Sequence, residues 1–535
     1  MHNHGAGKTH KIIDFIIEGV KNGKSFIYAI PNRITIDNFV ERLEKRNFTQ
    51  YIITPTLEKI KNKDRQKQIN LYQTMGAFVK LSTYIGNEIK ILKEKESLSK
   101  NEKIDLEIMR HYLEINGMLK KYEGLIITTH HRVSFFDKEF YKDKICFIDE
   151  DIFDTEFIST KTIPLYKIKS IYANSPILQF IGEFKLKEIE DMPYDVVQKI
   201  DSINIDMSTH KAIEDKLIIS KLFAINIFDF LRCKAVKKYK YIKDGITYTN
   251  IECFMFNELP PCPVMITTAT PKDEFYKLKF FNRKLQIREI SKAKYKGQIV
   301  LWDSHTYSNA FMNNEENLVY FEELLRMCKR ENMNLITFKD FIEKYKMLMN
   351  DDTLSNENPY KFLLKDIDCY WFFSMLGLDT LKDKDLAVIG KPLKDDDIFY
   401  FLALLLYDKE YEEKQRCQMQ LVEDKGFLFN LYTYEDDILR KIQMWSISSN
   451  EEQYVGRARV YDNEDRKVYL ASGYPVEQMI IEGEETEGIG KLLGLWYNRG
   501  VIIFIVITSF FYRKPNIIII SIKRIIYLKN LECHF

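Results

Sequence analysis

The sequence predicts an α/β protein of two domains with parallel sheets and added helical inserts, and three observations carry that prediction. A glycine-containing turn, His4-Gly5-Ala6-Gly7-Lys8-Thr9-His10, opens a helix with apolar residues at Ile12, Ile13, Phe15, Ile16, Ile17 and Val20. Short apolar runs of strand length recur downstream, as expected for strands buried on both faces of a parallel sheet. A second series of such runs starts near Gln298, and 535 residues suffice for two or three separate cores.

In chain order, Ser25 to Pro31 reads as a buried strand stopped by proline, and Thr35 to Arg46 has helical spacing. Leu57 to Lys121 is polar, with Lys and Glu mixed, and reads as a helical insert with a solvated face. Gly124 to Thr129 and Lys144 to Ile148 are the next strands, the latter delivering Asp149-Glu150-Asp151, and Val264 to Thr267 follows after a second insert. That insert, about 155–260, holds helical patterns near Ala212 to Phe230 and a hairpin around Lys238 to Glu252. The second series comprises Gln298 to Trp302, Asn334 to Phe338, Leu386 to Gly390 and Lys467 to Ala471. The expected divisions are 1–285, 286–490 and an apolar tail at 491–535. In that tail neither Val501 to Phe511 nor Ile517 to Ile520 reaches the ~20 apolar residues of a spanning helix. A membrane hairpin, buried terminal elements and a segment without an evolved role are open alternatives there, and no stable membrane association is expected.

Lys and Arg total 79 against 78 Asp and Glu, so a formal charge of +1 gives no global pull on polyanions, and anion binding has to be local. The eight cysteines include no C-x-x-C pair, and the start lacks a signal peptide's apolar stretch. These features exclude a disulfide scaffold and a zinc ribbon and favour a reducing cytoplasm. His2, His4, His10 and the His130-His131 pair have no further ligands at metal spacing.

A glycine turn at a helix start presents backbone N–H groups and the positive helix end to phosphate, a lysine reaches the terminal phosphates, and a hydroxyl binds magnesium. Gly5, Gly7, Lys8 and Thr9 have the residue types for those roles. Asp149 and Glu150 stand at a strand end, where an open α/β sheet has its binding crevice, and there one carboxylate can hold magnesium while the next polarises water. Gln453-Tyr454-Val455-Gly456-Arg457-Ala458-Arg459 adds arginines from the other domain, suited to the charge on a transferring phosphoryl group.

In this order the segments resemble the superfamily 2 helicases and translocases with DEAD/DEAH-like motifs. His4 to Thr9 is similar to motif I, Gly124 to His130 to the Thr-x-His-type nucleic-acid segment, and Asp149 to Ile152 to motif II. Thr267 to Pro271 resembles the Ser-Ala-Thr motif III, Gly377-Leu378-Asp379 with Lys384 to Pro392 the motif V region, and Gln453 to Arg459 motif VI. The resemblance, over roughly residues 1 to 480, implies two RecA-like P-loop NTPase domains and an ATP hydrolase using ATP and Mg2+ at the interdomain cleft. Carried over by position, Gly5, Gly7, Lys8, Thr9 and Asp149 would hold nucleotide, with Thr9 and Asp149 on the metal. Glu150, Gln453, Arg457 and Arg459 would be catalytic, and Thr129, His130, Thr268, Thr270 and Asp379 would line the nucleic-acid path or couple it to ATP. Nucleic acid is the implied partner, DNA ahead of RNA. The competing expectation is a catalytically impaired or truncated helicase-like nucleic-acid-binding protein, because the full phosphate-loop pattern would place its first glycine at position 2, where the chain has His2, and no strand precedes the loop.

Overall fold

The computed structural model describes residues 8–155, 157–203, 205, 207–216, 224–268, 272–287, 295–301, 307–314, 317–350, 367–372, 381, 384–458, 460, 463–476, 480–481, 504–505 and 525–526. Five sequence-predicted site residues, Gly5, Gly7, Thr270, Asp379 and Arg459, lie outside this set, as does nearly all of the apolar tail. Of that tail only the paired dipeptides Phe504–Ile505 and Ile525–Ile526 are described. Among the described residues no helix is long and apolar enough to cross a membrane.

The chain is α/β with two parallel sheets, each the core of one half. In the first half, β1 (Ser25–Ile30), β2 (Tyr51–Ile53), β3 (Leu125–Thr129), β4 (Lys144–Asp149) and β9 (Val264–Thr267) pair in the order β2-β3-β1-β4-β9. All four pairings are parallel. Alternation along the strands explains the layers. Phe26, Tyr28, Leu125, Ile127 and Phe147 face α1 (Lys8–Lys21) and α2 (Arg33–Glu44), which bury Ile12, Ile13, Ile16, Val20, Ile36, Phe39 and Leu43 against them. Ile27, Ala29, Ile126, Cys146 and Ile148 face the other way, into a larger core shared with the second half. Asn32 fixes the entry to α2 by accepting from the Thr35 amide at 3.1 Å, a side-chain N-cap.

Two inserts hang on this sheet. Helices α3 (Lys63–Thr74), α4 (Phe78–Lys93) and α5 (Lys100–Met118) have a small core of their own. The buried Arg65 ties them together, donating to Glu88 at 2.8 Å and Asp105 at 2.7 Å. The second insert is an antiparallel sheet, β5 (Ile158–Pro164), β8 (Ile246–Phe256), β7 (Ala235–Lys243) and β6 (Val197–Lys199), ordered β5-β8-β7-β6. Helices α7 (Leu165–Ala173) and α8 (Pro176–Asp191) pack on it. Asp244 and Gly245 close the β7–β8 hairpin with φ of 51° and 76°, the paired left-handed geometry of a tight hairpin turn.

In the second half β10 (Gln298–Leu301), β11 (Asn334–Thr337), β12 (Cys369–Trp371), β13 (Leu386–Ile389), β16 (Lys467–Ala471) and β17 (Ile480–Ile481) form the sheet β12-β11-β13-β16-β10-β17, again parallel. A separate hairpin joins β14 (Cys417–Asp424) to β15 (Phe427–Tyr434).

An interface helix, Asp396–Tyr407, holds the halves together. It is apolar around most of its circumference, the pattern of a helix enclosed on all sides, and Phe399, Phe401, Leu402 and Ala403 are fully buried. Phe401 lies 5.5 Å from Phe254, and Trp445 meets Phe275 edge-on at 5.0 Å. Polar ties flank this core: Tyr407 donates to Glu274 at 2.9 Å, Lys394 pairs with Asp154 at 2.5 Å, and Lys237 pairs with Asp397.

Candidate active site between the two sheets

Helix α1 leads through the turn at 22–24 into β1 and packs back on it, so the two run antiparallel. The 14-residue helix is about 21 Å long and the six-residue strand about 20 Å, so the start of α1 reaches the carboxyl edge of the sheet. Lys8 and Thr9 therefore stand at the edge where β3 ends in Thr129, β4 in Asp149 and β9 in Thr267. This is the edge at which open α/β sheets bind ligands.

The carboxylates are fixed by β9. The Thr267 hydroxyl donates to Asp149 Oδ1 at 3.2 Å, and the Glu150 amide donates to the Thr267 carbonyl at 2.9 Å. Glu150 has φ of 82°, a left-handed conformation costly for a residue with a Cβ, and that conformation turns the chain out of β4. Beneath it, Tyr28 stacks on Phe39 at 4.1 Å, and burial followed by the facing Asp149 carboxylate pushes its phenol well above the ordinary range. The sequence reading placed Thr267 at a strand end and in the motif III-like segment but without its hold on Asp149, and it missed Tyr28, which resembled any core aromatic.

The second half contributes through one long helix, Asp437–Arg457, N-capped by Asp436. Arg457 ends it and brings Nη2 to 3.8 Å from Glu150 Oε1, both side chains being largely buried. Gln453 lies one turn earlier, also buried. Glu150 Oε2, Gln453 Oε1 and Arg457 Nη2 are buried without a hydrogen-bond partner among the described residues. Glu150 and Arg457 thus meet across the halves with polar atoms left open to a polar ligand.

Other predicted residues have different settings. Thr129 caps the short helix α6 (His130–Val133), accepting from the Arg132 amide at 3.4 Å. His130 is wholly buried, 5.4 Å from Phe157, and desolvation depresses its imidazole to about 3 against the pull of the Asp149 and Ala29 backbones. It is thus a neutral support under the strand ends, out of reach of a strand in solvent. Thr268 is buried directly after β9. Among the described residues no cluster of three or more His, Cys, Asp and Glu is placed to hold a metal ion. A magnesium ion held by one carboxylate, one hydroxyl and a nucleotide's own phosphates needs no such cluster.

No family model matches the chain. No curated protein matches it. Among solved structures it is similar to one titled "XPD_Helicase", at 13% identity over 86% of this chain and 94% of that one, with a TM-score of 0.42. It is also similar to "Structure of S. tokodaii Xpd4", at 11% identity over 88% of this chain and 99% of that one, with a TM-score of 0.35. Likenesses at this level transfer no residue's role.

Proposed function

We propose that the chain is an ATP-dependent nucleic-acid helicase or translocase of the superfamily 2 type, turning over Mg-ATP between its two sheets and acting on DNA ahead of RNA. The observation that carries this reading is the meeting of Glu150 and Arg457 across the two halves, beside the start of α1. The residues fit a nucleotide: a helix N-terminus with Lys8 and Thr9, a carboxylate pair at a strand end, and three buried polar atoms lacking partners. Gly5, Gly7, Lys8 and Thr9 would hold the phosphates, and Thr9 with Asp149 the magnesium. Bound ATP supplies a γ-phosphoryl group whose transfer to water releases the energy for movement.

The protein's own residues do the rest. Glu150 orients a water for in-line attack and accepts its proton, while Gln453 and Arg457, and Arg459 two residues on, face the charge that spreads over the γ-phosphoryl oxygens. Because the arginine comes from a helix of the other half, turnover depends on the two halves being closed. Thr129, His130, Thr268, Thr270 and Asp379 belong to the coupling between nucleotide and strand, His130 acting through the backbone it supports. The DEAD/DEAH subdivision rests on Asp149-Glu150 alone, since Asp151-Ile152 follows. A cytoplasmic setting suits the unpaired cysteines Cys146, Cys233, Cys253 and Cys328. Lys8→Ala and Glu150→Gln should each abolish magnesium-dependent ATP hydrolysis without lowering the thermal midpoint. Undiminished turnover in both would overturn the reading, and no turnover from the folded wild type would favour the impaired, strand-binding alternative.

A further inference from the structure

On a chain of net charge +1, residues 157–182 and 234–251 together hold eight lysines, at 161, 167, 169, 234, 237, 238, 240 and 243, against one acid, Asp244. The fold brings these stretches together as β5, α7 and the β7–β8 hairpin. Salt bridges occupy three of the lysines, Lys169 with Glu190, Lys234 with Glu258 and Lys237 with Asp397. The excess positive charge sits on the outer part of the hairpin, where Lys240 and Lys243 are exposed.

The same surface carries tyrosines in series. Tyr241 and Tyr248 are cross-strand partners with rings stacked at 5.3 Å and 24°, and Tyr166 of α7 continues the series 6.4 Å from Tyr248. Tyr239 lies two residues inward on the same face, accepting from Asn250 at 3.2 Å, with Lys237 beneath its ring at 5.6 Å. The face therefore starts at the interdomain contact of Lys237 with Asp397 and runs outward about 20 Å to Lys243. On the opposite face Lys238 and Lys240 both lie 4.6 Å over Tyr194.

We infer that the Tyr239, Tyr241, Tyr248 and Tyr166 face of the β7–β8 hairpin is a stacking platform for single-stranded nucleic acid leaving the interdomain cleft, with Lys243 of the same face beside its phosphates. Aromatic rings stack on any base, and lysines follow the backbone without reading sequence, so the platform binds strands irrespective of sequence. It lies outside the nucleotide site and rests on the function proposed above. Because the tyrosines pack largely on one another at the outer end of a two-stranded ribbon, they contribute little to the core of the insert.

The test is anisotropy of labelled oligo(dT) and oligo(U) titrated with the full chain, alongside ATP hydrolysis with and without each oligonucleotide. The double substitution Tyr241→Ala and Tyr248→Ala should weaken binding at least about tenfold and raise the oligonucleotide needed for half-stimulation, with hydrolysis in its absence unchanged. Tyr241→Phe should keep affinity, because the ring stays. Lys243→Glu, at the exposed end of β7, should weaken binding and flatten its salt dependence, and supplies a reading independent of ring packing. If the wild type binds and is stimulated while these variants match it, the platform is wrong and the proposed function stands. If the wild type hydrolyses ATP but binds neither oligonucleotide, the platform and the nucleic-acid half of the function both fall. If it neither hydrolyses nor binds, the whole reading fails.

Discussion

Arg457 and Glu150 come from different halves of the chain yet lie 3.8 Å apart, so the meaning of each depends on the other. An arginine that acts on transition-state charge contributes little to ground-state binding. Arg457→Ala should therefore lower kcat on the order of 10³-fold while changing ATP affinity only a few-fold, as steady-state kinetics and nucleotide titration would show. A large loss of affinity instead would make Arg457 a binding residue. Two positions before Gln453, Glu451 is fully buried, and desolvation pushes its carboxyl up to about 8 despite Ser472, Lys391 and Lys425. A folded-state value above the unfolded one means that the native state binds the extra proton. Its stabilising effect is complete below about pH 4.5 and is lost as pH rises toward 8, at up to ~1.4 kcal/mol per pH unit. Glu451→Gln should thus gain on the wild type in thermal midpoint between pH 5 and 8, and a constant difference across that range would refute the burial argument.

At the scale of elements, the interface helix Asp396–Tyr407 is the piece on which closure rests. Phe401 is fully buried in a core built from both halves, so Phe401→Ala should cost about 3–5 kcal/mol, measurable by chemical denaturation. It should also depress hydrolysis in the remaining folded protein by loosening the approach of Arg457 to Glu150. Sequence reading failed to find this helix because Asp-Asp-Ile-Phe-Tyr-Phe-Leu-Ala-Leu-Leu-Leu-Tyr has no polar face to set a period, only an acidic start. Most of the parallel strands were legible for the opposite reason: Lys144–Asp149 and Lys467–Ala471 are short apolar runs with sharp polar ends, whereas β2, β12 and β17 are only two or three residues long and escaped the reading. In the second insert the hairpin was readable from alternation and Asp244-Gly245, whereas β5 and β6 look like loop because their neighbours in the sheet come from far along the chain. At the site, Asp149 and Glu150 could be placed at a strand end from sequence, but their fixing by Thr267 depends on strand order, which the sequence does not contain.

For the whole molecule, the proposed motor is one in which nucleotide turnover requires residues from both halves, packed together around the buried helix Asp396–Tyr407. The near-neutral total charge means that attraction to a strand arises from local surfaces, and hydrolysis stimulated by nucleic acid should fall steeply with added salt while the unstimulated rate changes little. The most direct single measurement is magnesium-dependent ATP hydrolysis by the purified chain with and without single-stranded DNA and RNA, beside Lys8→Ala and Glu150→Gln. The account predicts turnover that a strand accelerates and that both substitutions abolish. Turnover that is absent from the folded wild type, or untouched by either substitution, would contradict it.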